Sequence, residues 1–255
     1  QLLTQFVRLT GYPCTLTLMG LGAYPASDPQ FLGMLGMHGT YEANLAMHDC
    51  DVMVCVGARF DDRITGKLDE FSPGSKKIHI DIDPSSINKN VRVDVPIIGD
   101  VAHVLEDMIK IWKSEQAKPD QKALKGWWKQ IDEWRAKDCL KYTQKGDVIK
   151  PQYAIQRLYE ATRNLDDVFI TTEVGQHQMW AAQYFRIRPT RQPCTLTWSG
   201  PKMRVSKALL AGSRAMEAPL RRSRFRVTSV SSIKATTMEL FSAVSERRMI
   251  TVSPS

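Results

Sequence analysis

Residues 56–64, VGARFDDRI, put Gly57, Arg59, Asp61, Asp62 and Arg63 directly behind an apolar run, DVMVCV. Two arginines can neutralise a pyrophosphate, an aspartate can fix an arginine or a hydroxyl, and a glycine lets the backbone approach a ligand. An ordinary solvated loop could carry the same residues. Position favours a ligand, because open α/β sheets bind outside the carboxyl ends of their strands. A second such end, HIDIDP, carries Asp81 and Asp83. An acidic group there commonly accepts ribose hydroxyls, although an Asp before Pro84 also opens turns. No GxGxxG occurs, so the expected nucleotide site lacks the usual dinucleotide fingerprint.

Two glycine-bearing stretches add backbone donors. GMLGMHGTYEAN sets Gly33, Gly36 and Gly39 around His38, just ahead of a helical pattern, and can wrap a flat or anionic group. A lone His in a loop is commonly structural, and no Ser, Cys or carboxylate partners it in a hydrolytic triad. EVGQHQMW repeats the logic, with Gln176 and His177 at a helix N-terminus where the dipole favours phosphate.

These segments need a scaffold. PCTLTLMG, DVMVCVG, KKIHIDID and VPIIGD are strand-like, TYEANLAMHDC is helical, and DVAHVLEDMIKIW has amphipathic spacing. QLLTQFVRLTGYP reads as a helix entered mid-way and running into a turn, without signal-peptide features. Continuous apolar strands alternating with helices predict a parallel sheet covered on both faces. Residues 113–150 are polar and lead into a Lys- and Trp-bearing helix. Trp127, Trp128 and Trp134 could stack on nucleic acid, but interleaved acidic residues favour packing on a neighbouring domain. A new α/β beginning follows: KPQYAIQRLYEATR as helix, DDVFITTEVG as strand, QHQMWAAQYF as helix.

The net charge of +8 is unevenly distributed. Residues 1–185 hold 21 Lys and Arg against 24 Asp and Glu; residues 186–255 hold 14 basic residues, 3 Glu and no Asp. The span 188–232 is Arg- and Ser-rich with no sustained period. Such a composition suits a basic nucleic-acid-binding tail or an out-of-frame translation of GC-rich coding DNA. Five cysteines without CxxC spacing read as reduced thiols of a cytoplasmic protein rather than a zinc site. No run reaches the length of a membrane helix, and no membrane partner is expected.

TLMGLGAYP, LGMLGMHGTYEAN, VGARFDDRITG, KKIHIDIDPSSINKN, IIGDV and TEVGQHQMWAAQYF together resemble the large catalytic subunit of the acetolactate (acetohydroxyacid) synthase family, collinearly from about residue 7 to Phe185. The resemblance implies an α/β chain: a Rossmann-like parallel-sheet central domain of the thiamine-diphosphate enzymes, followed by a truncated α/β cofactor domain. By residue, it implies an FAD-type domain over 1–115, a linker and helix over 116–150, the start of a thiamine-diphosphate domain over 151–185, and an unrelated basic tail over 186–255.

It also implies thiamine diphosphate, Mg²⁺ and FAD as cofactors. The family joins a two-carbon unit from decarboxylated pyruvate to a second pyruvate or to 2-oxobutyrate, opening branched-chain amino-acid synthesis. Its large subunits form dimers or tetramers and meet a small regulatory subunit. Carried over by motif, Thr17, Leu18, Met19, Leu35, Gly36, Met37 and His38 would line the flavin and ribityl chain. Gly57, Ala58, Arg59, Asp61 and Arg63 would meet the pyrophosphate and ribityl region. Asp81, Ile82, Asp100 and Val101 would hold the adenosine end, and Val174, Gly175, Gln176 and His177 the thiamine diphosphate.

The family's activating glutamate and its Gly-Asp-Gly…Asn magnesium motif are missing, so no catalytic or metal residue is assigned. The chain reads as a fragment inactive alone, or alternatively as an inert flavin- or nucleotide-binding module. Nucleic acid is not an expected partner.

Overall fold

The computed structural model describes residues 1–165, 168, 170–172, 174–187, 197–198 and 247–253. It begins with α1 (Leu2–Thr10), whose αL cap Gly11 donates its N–H back to Val7. There follow β1 (Cys14–Leu16), β2 (Phe31–Met34), α2 (Tyr41–Asp49), β3 (Val52–Val56), α3 (Asp62–Thr65), β4 (Lys76–Asp81) and β5 (Val95–Ile98). Helices α4 (Val101–Ser114), α5 (Gln121–Arg135) and α6 (Pro151–Thr162) come next. Then come β6 (Thr171–Thr172), α7 (Gln176–Tyr184), β7 (Thr197–Trp198) and β8 (Arg248–Val252).

Caps mark several helix starts where the sequence supplies them. The Thr40 hydroxyl accepts the Ala43 N–H, Asp100 accepts from Ala102 and His103, and Asp120 accepts from Lys122 and Ala123. Each satisfies N–H groups that the first helical turn leaves unpaired.

Among the described residues the main sheet has six strands in the order β2-β1-β8-β3-β4-β5, every pair parallel. Helices cover both faces. Val52, Val54, Val56, Ile78 and Ile80 join Phe6 and Val7 of α1 and Leu105, Met108 and Trp112 of α4 in one core. Met53 and Cys55 join Ala43, Ala46 and Met47 of α2 and Trp127 and Ile131 of α5 in the other. The expected parallel α/β sheet is therefore present, and its apolar strand runs follow from burial on both sides. Pro96 is accommodated because β5 is an edge strand.

Two elements depart from the sequence expectation. FLGM forms β2, although its glycine suggested only a wrapping loop; as an edge strand it needs one partner, and Cys14 pairs with Phe31. The larger departure is β8. No element was expected in the Arg- and Ser-rich end, yet RMITV lies between β1 and β3, with Val54 opposite Ile250 and Cys14 opposite that same residue. A five-residue stretch with three apolar side chains is too short to stand out in a basic span, and its partners are 196 and 236 residues away. Most of residues 186–255, including Cys194, lies outside the described residues.

The tryptophans of α5 are structural. Trp127 is buried and its indole N–H donates to the Arg248 carbonyl at 3.2 Å, while Trp128 donates to the Gly11 carbonyl at 3.0 Å. Cys14, Cys50 and Cys55 are free and buried, Cys139 free and exposed. Burial pushes the Cys50 thiol up to about 12 and raises those of Cys14 and Cys55 as well, so these thiols stay protonated and inert. Among the described residues no helix is long and apolar enough to cross a membrane.

Ile78 is fully buried on β4. Ile78→Ala is expected to cost about 2–5 kcal/mol, seen as a lower denaturant midpoint at unchanged slope.

Candidate functional site

The carboxyl ends of β1, β3 and β8 open into one cavity of about 520 Å³. Thr17, Leu18 and Met19 reach it as a tight turn leaving β1, where the Thr17 hydroxyl accepts the Gly20 N–H. Leu35, Met37 and His38 come from the loop after β2. Arg59, Asp61 and Arg63 come from the loop and short helix after β3, and Val174, Gly175 and Gln176 from the start of α7. Twelve of the twenty residues singled out from sequence thus share one wall-to-wall space.

Local geometry explains how the segments meet. Gly57 turns the chain out of β3 at φ 67 while its N–H donates to Ile80 at 2.7 Å. Gly36 has φ 96, and a Cβ there would lie 2.7 Å from the Arg63 carbonyl. The same carbonyl accepts the Met37 N–H at 2.8 Å. Only glycine permits that approach, so the glycine loop and the arginine segment pack directly. Asn44 ties the loop down further, its side chain donating to the Gly36 carbonyl and accepting the Gly36 N–H. On the other side Gln183 of α7 donates to the His38 carbonyl at 2.9 Å.

The chemistry of the lining is divided. Met19 and Met37 are 56% and 63% exposed, a large apolar presentation for a soluble surface. Arg59 and Arg63 are exposed, and no described residue forms an ion pair with either. Asp61 occupies the N-cap position of α3, but its side chain makes no cap hydrogen bond, leaving the carboxylate available. Apolar side chains beside free guanidinium groups suit a ligand with a flat apolar part and an anionic part.

The remaining eight residues lie outside the lining. Gly36, Gly57 and Ala58 shape the backbone behind it. Asp81 is 1% exposed at the end of β4; its Oδ1 accepts the Asp83 N–H, and its Oδ2 is buried with no hydrogen-bond partner. The Gly99 N–H donates to the Asp81 carbonyl at 3.0 Å, which brings Asp81 and Ile82 beside Asp100 and Val101. Asp100 is committed to capping α4. His177 is exposed on the first turn of α7, and its ring stands over Gly175.

Sequence reasoning missed Met34, Ile64, Gln178, Met179 and Ser253, which also line the cavity. Met179 sits one helical turn beyond Gln176 and Ile64 beside Arg63, so periodicity could have found both. Nothing local identifies Ser253. Among the described residues no group of three His, Cys, Asp or Glu side chains could hold a metal ion, and no magnesium site is derived.

Residues 1–108 match the family described as thiamine pyrophosphate enzyme, central domain. They belong to that family. Beyond it, the chain is homologous to acetolactate synthase large subunits. It is 49% identical over 185 residues to the acetolactate synthase isozyme 3 large subunit of Escherichia coli (strain K12), covering 72% of this chain and 32% of that protein. It is 48% identical over 183 residues to the acetolactate synthase large subunit of Haemophilus influenzae, covering 72% and 31%. Against acetolactate synthase 1, chloroplastic, of Nicotiana tabacum, the identity is 46% over 190 residues, covering 74% and 28%. The chain spans about a third of the length of the curated relatives it matches.

One titrating group sits under this site. His79 is fully buried against Phe60, and burial pushes its pKa below 6.5, partly opposed by the Asp81 carboxylate 3.7 Å from Nε2. The unfolded chain therefore binds a proton at His79 before the folded chain does. Stability should be insensitive to His79 above about pH 6.5 and fall as pH drops below it. Denaturation midpoints from pH 7.5 to 5 should show a smaller decline in His79→Leu than in the parent.

Proposed function

We propose that this chain carries the FAD-binding central unit of an acetolactate synthase large subunit. The reading rests on the cavity over β1, β3 and β8, where unpaired Arg59 and Arg63 stand beside exposed Met19 and Met37. The apolar side chains would face the flavin ring, and the two guanidinium groups would neutralise the pyrophosphate. Asp61 would accept a hydroxyl of the ribityl chain. The buried, unpartnered Oδ2 of Asp81, next to Asp100, would serve the ribose of the adenosine end. Gly36 lets the loop after β2 pack against the Arg63 carbonyl and so holds the wall that such a ligand would face.

Thiamine diphosphate is the second expected cofactor; when bound, it supplies the electron sink for decarboxylating a 2-oxo acid. In this chain Val174, Gly175, Gln176 and His177, at the N-terminus of α7, would donate to the diphosphate. Val174 to Gln176 line the same cavity as Thr17 to Met19, so the two cofactors would be neighbours. The domain division follows: 1–115 for the flavin, 116–150 as linker and helix, and 151–185 as the beginning of the thiamine-diphosphate unit. Residues 186–255 are a basic tail, with β8 returned to the first unit. Pyruvate and 2-oxobutyrate as substrates, a homo-oligomer, a small regulatory subunit and bound Mg²⁺ rest on the family resemblance alone. Buried protonated thiols are compatible with the reducing cytoplasm, where we place the protein.

A second reading, an inert flavin-binding module, draws on the lack of a metal-holding cluster among the described residues. Purified protein titrated with FAD, read by flavin fluorescence, decides the first question. Saturable binding is expected, weakened about ten- to a hundredfold in an Arg59→Ala/Arg63→Ala variant through loss of charged hydrogen bonds. A parent chain that does not bind FAD would sink the proposal. Acetolactate formation from pyruvate, with thiamine diphosphate and Mg²⁺ added, would exclude the inert module.

A further inference from the structure

Strands β1 and β3 are neighbours in space that do not pair with one another. Each bonds instead to β8. Their hydrogen-bonding edges, with the covering helices, form a slot one strand wide, open to an extended segment lying parallel to both. The occupant's requirements can be read along β8. Ile250 and Val252 enter the core shared with α1 and α4, and Met249 enters the core shared with α2 and α5, all three nearly or fully buried. Thr251 faces Thr15, the two hydroxyls 3.3 Å apart.

Both ends of the occupant are held by specific contacts. The Asp51 carboxylate accepts the Arg247 N–H at 2.8 Å, and Arg248 donates to the Tyr12 hydroxyl at 2.6 Å. At the other end the Ser253 N–H donates to Val56 and the Thr17 N–H to Val252, at 2.8 and 3.0 Å. The Thr17 hydroxyl reaches the Ser253 hydroxyl at 2.9 Å, at the wall of the large cavity.

We propose that the space between β1 and β3 is a strand-acceptor site, filled in cis by residues 247–253 and able to take the same sequence as a separate peptide. Three observations make it a recognition site. Hydrogen bonds run to both sides, as in other cases where a strand is added to a sheet. Alternate side chains are selected by two different cores. An acidic group waits at the arginine end and a hydroxyl at the serine end. Among the described residues between β5 and β8 none pairs with this sheet, so nothing in the order of the described strands requires the occupant to be covalently continuous with its slot. Attachment supplies local concentration.

The first test uses the full chain with Thr15→Cys and Thr251→Cys. Mild oxidation should link the two introduced thiols within one chain, identified by mass spectrometry of the digest. No link, or a link joining two chains, overturns the cis assignment. The second test weakens the occupant. In the full-length Ile250→Lys variant a charge replaces a core side chain, and a fluorescent peptide of residues 246–255 should bind saturably. The parent chain should take up at least about tenfold less peptide because its own strand competes. Equal uptake by both, or by neither, overturns the acceptor site. None of these readouts involves FAD, so their outcome is independent of the flavin proposal.

Discussion

The backbone ladder on both sides of β8 holds the two halves of the sheet together. On one side β2 and β1 form a pair packed over α1; on the other β3, β4 and β5 form a triplet. Without an intervening strand, two rows of buried N–H and C=O groups would face each other across a gap, and an unpaired buried backbone group costs as much as a lost hydrogen bond. The side chains add to this. Met249, Ile250 and Val252 each remove an apolar side chain from water, a gain of about 1.5–3 kcal/mol apiece. They divide that burial between the two cores, so a single short strand couples both helical layers.

The cavity inherits its form from the same arrangement. Connections from β1 run to β2 on one side, while those from β3 run to β4 and β5 on the other, and loops leaving in opposite directions open a crevice between them. Into it the sequence places glycine where chains must touch and arginine where they need not. Gly36 lets the loop after β2 rest on the Arg63 carbonyl, which turns both guanidinium-bearing segments toward the same space. The charged end of an otherwise apolar strand is therefore a consequence of where β3 stops. The strand ends at Val56, and beyond Gly57 the chain sends Arg59, Asp61, Arg63 and Ile64 to the crevice while Ala58 and Phe60 stay in the core.

Local pattern carried much of this. Strands β3 and β4 and helix α4 follow from unbroken apolar runs and from a 3.6-residue period, and the Arg59–Arg63 cluster announces itself by charge density at a strand end. Arg59, Asp61, Arg63, His38 and Gln176 were legible for that reason, each lying just after a recognisable strand or before a recognisable helix, whereas Thr17 to Met19, Leu35, Met37, Val174 and Gly175 came from the family resemblance. Strand β2 was obscured by Gly33, whose positive φ suits a loop yet is tolerated at an edge. Strand β8 was hidden for a different reason. RMITV has the β-branched content of a strand, but what makes it one is a pair of edges supplied by residues 14–16 and 52–56, which no window along the chain can see.

Sequence separation of this kind also bears on how the cavity responds to a ligand. Its wall draws on side chains from the turn after β1, the loop after β2, the segment after β3, the start of α7 and Ser253, and these segments are linked to one another by few bonds: Gln183 to His38, Thr17 to Ser253, Met37 to Arg63. A molecule touching all of them would bind only the assembled arrangement and not its separated parts. Mass action then stabilises every contributing element together, in proportion to the logarithm of ligand concentration over the dissociation constant. Through Ser253 and the start of α7, segments far apart in the sequence would share that gain.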